Sequence, residues 1–113
     1  MKEANIALAR LPQADGILKP RPIVLLREMP KYRDFLVCGI SAQLHQEVKS
    51  FDEIISPNDS DFARSGLKAG SLIRVGFLNV LVRKDILGKI GEISAARHQR
   101  LLKNLSDYLI KSS

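Results

Sequence analysis

The chain is 113 residues long, 45% hydrophobic and 27% charged, and its 18 Lys and Arg outnumber 12 Asp and Glu for a formal charge of +6. That length suits one domain over residues 1–113, able to bury about two-thirds of its unfolded surface without covalent staples. The single cysteine, Cys38, excludes an internal disulfide and a cysteine-rich zinc site, and no apolar run approaches the ~20 residues of a membrane span.

The charge favours an anionic partner, nucleic acid first, although many small basic proteins bind none. Trp is absent and aromatics are scarce, so the stacking platforms of single-strand binders are not conspicuous. The start of the chain lacks the basic, apolar and small-residue succession of a signal peptide. The expectation is a soluble, cytoplasmic protein in a reducing compartment.

In chain order, residues 6–11 predict a first strand with Ile6 and Leu8 on one face, stopped at Pro12 and followed by a turn over residues 13–16. The stretch Lys19-Pro20-Arg21-Pro22 then leads into Ile23-Val24-Leu25-Leu26, a strand buried on both faces. Proline fixes φ and holds its preceding residue extended, so Lys19 and Arg21 sit on stiff, non-helical backbone. Such a backbone serves equally well as a rigid strand entry or as a mount for a cation that meets an anion. Residues 35–40 predict a third strand that buries Cys38, with Gly39 marking a bulge or a close backbone approach.

Residues 48–55 predict a short strand. The polar run from Pro57 to Asp61 predicts a brief helix that Gly66 ends in a left-handed conformation. Residues 71–81 are long and β-rich, with Gly76 placed to bend or break them, and residues 88–93, following Ile86 and Leu87, predict a last short strand. Ser94 is the predicted N-cap of a terminal helix over residues 95–110. Its apolar stripe is Leu101, Leu102, Leu105, Leu109 and Ile110, with Arg97, Arg100, Lys103 and Lys111 on a solvated face. Short strands at close spacing followed by one amphipathic helix imply a small β-barrel with a helix packed on it.

There is no glycine-rich phosphate loop, no His pair at metal spacing and no nucleophile elbow. His45 and His98 read as surface residues. Three groups at strand ends remain. Arg21 precedes the second strand, Ser41 closes the third and is ordinarily a turn or cap residue, and Arg74 alternates with Ile73 and Val75. On the pattern alone, Arg74 points to solvent.

The segments "KPRPIVLL", "VCGISAQ", "SDFARSGLKAGSLIRVGFL" and "ILGKIGEIS" occur in one succession ahead of the terminal helix. Over about residues 6–110 the chain resembles the PemK/MazF family of toxins from bacterial toxin–antitoxin pairs. The resemblance implies an SH3-like barrel with a terminal helix and a homodimer. It also implies metal-independent and cofactor-independent cleavage of single-stranded RNA, often mRNA, to 2′,3′-cyclic phosphate and 5′-hydroxyl ends. A cognate antitoxin protein would block the site. Carried over by position, the family's catalytic arginine falls on Arg21, its strand-end hydroxyl on Ser41, and the "SVVR" arginine of some members on Arg74. Lys19 and Lys68 would extend a positive track.

Three departures stand out. Gly76 occupies the place where some members carry an acid, residues 12–20 contain no histidine, and Asn5-Ile6-Ala7-Leu8 replaces the usual "GDIV" opening. No general base is evident. The alternatives are a non-catalytic binder on the same barrel, such as a gyrase inhibitor like the CcdB toxins, and a plain RNA-binding module.

Overall fold

The computed structural model describes residues 1–12 and 16–112. Its elements are β1 (Asn5–Pro12), β2 (Leu18–Glu28), β3 (Phe35–Ser41), β4 (Glu53–Ile55), α1 (Phe62–Ser65), β5 (Ser71–Leu81), β6 (Ile86–Glu92) and α2 (Ala95–Leu109), with single 3₁₀ turns at Leu44–Gln46 and Arg83–Asp85. The turn expected at residues 13–16 lies outside the described residues except for Gly16, whose φ of +81° is the left-handed conformation glycine adopts freely.

The strands form one antiparallel sheet in the order β4-β5-β3-β2-β1-β6. β4 and β6 are its edges, and no ladder joins them. The sheet is therefore open, where the sequence led us to expect a closed barrel. The reason is what lies between those edges. β4 has only three residues, and the segment after it carries α1 against β6. That contact is backbone on backbone: a Cβ on Gly66 would overlap the Ile90 carbonyl, and one on Gly91 would overlap the Ser65 carbonyl. Gly66 also ends α1 at φ +74°, as its position after the helix predicted.

Both faces of the sheet are buried, and register decides which side chains go where. On β3, Leu36, Cys38 and Ile40 join Ile6, Val24, Leu26, Ile73 and Val75 beneath α2. Phe35 and Val37 point the other way and pack with Ala7, Ala9, Ile23 and Leu25. This is why the apolar run 23–26 is continuous rather than alternating: each face has its own core. Burying such side chains contributes roughly 1.5–3 kcal/mol apiece.

β2 begins at Leu18, so "KPRP" lies inside the strand rather than ahead of it. Over residues 18–22 it pairs only with β1, because its ladder with β3 ends at Ile23 opposite Gly39. The next step would pair Pro22 with Ile40, and proline has no N–H to give. β2 and β3 therefore part beyond Ile23. β5 also bends, since Gly39 faces Arg74 while the adjacent Cys38 faces Leu78, leaving residues 75–77 looped out. The Asp52 carboxylate accepts the Val75 N–H at 3.0 Å and the Val48 N–H at 3.0 Å, which fixes that loop to the segment before β4.

α2 starts at Ser94, whose Oγ accepts the Arg97 N–H at 3.1 Å. Leu101 and Leu105 bury the expected stripe. The same stripe was expected to include Leu109 and Ile110, but they are 68% and 78% exposed because the helix has run past the sheet. Two residues of its polar face are buried instead. His98 donates Nε2–H to the Leu26 carbonyl at 2.7 Å, and Arg97 lies among Glu53 of β4 and Asp59 and Asp61 of the segment joining β4 to α1. His98 is thus a core residue and not the surface histidine its sequence context implied; His45 is exposed. No described helix is long and apolar enough to cross a membrane.

Candidate functional site

The fork between β2 and β3 opens a cleft of about 510 Å³. Arg21 lines it from β2, Ser41 from the end of β3 and Arg74 from β5. These are the three residues, 53 positions apart at the extremes, that the sequence singled out separately. Register explains the convergence. Ile23 pairs with Gly39 and Gly39 with Arg74, and side chains two apart share a face. Arg21, Gly39, Ser41 and Arg74 therefore all project from the face opposite α2, at the end where β2 and β3 separate.

Each side chain has a local cause. Arg21 is exposed and extends from a strand stiffened by a proline on either side. Ser41 Oγ accepts the Gln43 N–H at 3.0 Å, the turn-closing role such a residue normally has. That bond uses a lone pair and leaves the hydroxyl hydrogen to donate into the cleft. Arg74 is half-buried rather than solvated, and its guanidinium lies 5.6 Å from the centroid of the Phe77 ring.

Lys19 and Lys68 do not line the cleft. Lys19 is exposed on β2 opposite Leu11, and Lys68 is exposed in the connection between α1 and β5. They remain outlying cations on the described surface. Among the described residues, no carboxylate or imidazole lines the cleft. A side chain at Gly76 would not supply one directly, because its Cβ would meet the Phe51 ring at 3.3 Å, and Phe51 is not part of the lining. The described lining is consequently a site of two cations and a hydroxyl donor. Chemically, it suits an anion with several oxygens, to which arginine offers forked, charge-assisted hydrogen bonds.

Gly39 and Phe77 shape the cleft, and neither was recognised as a lining residue from the sequence. Gly39 was expected to mark a bulge or a close approach, and it does both. The β3–β5 register breaks beside it, and a Cβ there would come within 2.8 Å of Phe77 Cδ1. Phe77 itself gave no signal apart from following Gly76 at the bend.

Among the described residues, no three or more His, Cys, Asp or Glu side chains gather where they could hold a metal ion. Cys38 is buried among the strands, and burial, aided by the Asp52 charge, pushes its thiol up to about 12. It is protonated and inert at neutral pH. Neither the protein-family models nor the curated proteins gave a match to this chain.

Proposed function

We propose that the chain is a metal-independent endoribonuclease of the PemK/MazF toxin type, on an SH3-like framework. The single observation that carries the reading is that Arg21, Ser41 and Arg74 line one cleft. In this reading the phosphodiester of a single-stranded RNA sits between the two guanidiniums. The ribose 2′-hydroxyl attacks phosphorus in line and the P–O5′ bond breaks. The products are a 2′,3′-cyclic phosphate and a 5′-hydroxyl.

Arg21 stabilises the charge that builds on the equatorial oxygens, the kind of fixed electrostatic help that often contributes most to such a step. Arg74 holds a neighbouring phosphate. Ser41, with one lone pair engaged by the Gln43 N–H, donates its hydroxyl hydrogen to a phosphoryl oxygen rather than removing the 2′ proton. Among the described residues no carboxylate or imidazole lines the cleft, so water takes that proton and supplies one to the departing 5′ oxygen. An acidic antitoxin segment is the natural competitor for a groove of two arginines, and the working form is a homodimer.

The test is incubation of the purified protein with single-stranded RNA in excess EDTA. Cleavage with cyclic-phosphate ends is expected, and Arg21→Ala should abolish it while leaving the fold intact, because Arg21 is exposed. Cleavage that persists in the Arg21→Ala protein overturns the assignment. A described lining whose charged groups are two arginines also fits a second reading, a non-catalytic binder of an anionic partner on the same framework. RNA left intact under all conditions, with a stable complex with DNA gyrase or a salt-dependent affinity for RNA, would select it.

A further inference from the structure

Phe77 is a large aromatic left 45% exposed, and it lines the cleft beside both arginines. Its orientation is built in at three points. The looped-out residues 75–77 turn it out of the sheet ladder. Asp52 pins that loop through the Val75 N–H at 3.0 Å. Gly39 supports the ring so closely that a single methyl group there would force it to shift. A held aromatic ring, with nearly half its surface open, the Arg74 guanidinium 5.6 Å from its centroid and Arg21 lining the same cleft, matches a ligand that joins a flat π system to an anion. An acidic peptide would use the arginines and leave the ring idle, and so would a bare phosphate.

We propose that Phe77 is a stacking platform for a nucleobase, which makes the cleft a nucleotide site in which the base lies on the ring and the attached phosphate meets Arg21 and Arg74. This rests on the reading of the cleft as a phosphate site and adds the part of the ligand that the cations cannot recognise. Because a stacking surface accepts any base, it supplies affinity and register along the strand rather than sequence choice.

The experiment uses ligands that cannot be cleaved, so it is independent of catalysis. Adenosine 3′-monophosphate, uridine 3′-monophosphate and inorganic phosphate are titrated into the wild-type protein and variants, read by chemical shift or calorimetry. Both nucleotides should bind more tightly than phosphate. Phe77→Leu keeps apolar bulk but not the π face, and should weaken nucleotide binding about 5- to 100-fold without changing phosphate binding. Phe77→Trp should retain the preference, and Gly39→Ala, which displaces the ring, should reduce it.

A wild-type protein without the preference, or a Phe77→Leu protein that keeps it, overturns the platform. Phosphate affinity unchanged in Arg21→Ala removes the phosphate clamp instead, and leaves the platform standing if Phe77→Leu has still lost its preference. Failure of every ligand to bind overturns both.

Discussion

Arg97→Ala should be strongly destabilising, although the sequence presents Arg97 as a solvated charge. Its guanidinium donates to Asp61 at 2.9 and 3.1 Å, to Glu53 at 2.8 Å, to Asp59 at 3.0 Å and to the Ile54 carbonyl at 3.2 Å. When it is removed the partners fare differently. Glu53 keeps Arg100 at 2.7 and 3.1 Å, and Asp59 keeps the Ser56 N–H at 2.9 Å and some solvent. Asp61, 2% exposed, is left with only the Ser94 N–H at 3.0 Å among these bonds. A buried carboxylate stripped of its cation costs about 3–5 kcal/mol. Only one of the three carboxylates is fully stranded, so the lower end applies: about 3 kcal/mol, or roughly 12 °C in Tm for a chain of this size.

Urea and thermal unfolding at pH 7 measure this directly, and Asp61→Asn in the Arg97→Ala background should return part of the loss by removing the stranded charge. The same pair sets an acid limit. Burial alone would raise the Asp61 carboxyl, but hydrogen bonds from Arg97 and Ser94 and the Arg97 charge outweigh it and hold the group down to about 2. A carboxyl depressed on folding stabilises the protein above its unfolded value. That contribution, about 2 kcal/mol, fades as pH falls from about 5 to about 2. The double variant should lack this part of the acid transition. A loss under about 1 kcal/mol in Arg97→Ala, or a double variant no more stable than the single one, would refute the reasoning.

Three further outcomes are expected. Gly66→Ala combines a left-handed φ with overlap of the Ile90 carbonyl, and should cost more than about 2 kcal/mol in urea unfolding; a near-neutral result would mean that α1 does not pack on β6 as described. Cys38 should resist a thiol reagent at pH 8 in the folded protein and react at once in denaturant, so rapid labelling of native protein would contradict its burial. His98→Ala should destabilise by about 1–3 kcal/mol in urea unfolding, because it removes the Nε2–H that meets the Leu26 carbonyl at 2.7 Å.

Much of the sheet was legible because its cause is local. Apolar runs at 23–26 and 35–40, the cap at Ser94 and the left-handed Gly66 each announce themselves within a few residues. Arg97 and His98 did not. A charged or polar side chain on an amphipathic helix reads as solvated until its partners are known, and those lie 36 to 72 positions away. Leu109 and Ile110 erred in the opposite sense, because periodicity continues where the sheet beneath it has ended. The candidate residues Arg21, Ser41 and Arg74 could be picked out by their strand ends and by a family resemblance. Their meeting in one cleft depends on the register of β2 against β3 and on the bend in β5, and neither is encoded by spacing.

The fork at Pro22 also limits how anything can approach the cleft. Sheet edges ordinarily invite a further strand, from a partner peptide or a second copy, to zip on through backbone hydrogen bonds. Along residues 18–22 the side of β2 that β3 abandons carries two prolines with the same parity, so the donors such a strand would need are missing there. The edge beside Arg21 is therefore barred to β-augmentation while remaining open to side chains and phosphates. An occupant of this cleft is recognised by its charges and rings, because this edge of the backbone offers carbonyl acceptors but lacks the proline N–H donors a strand would need.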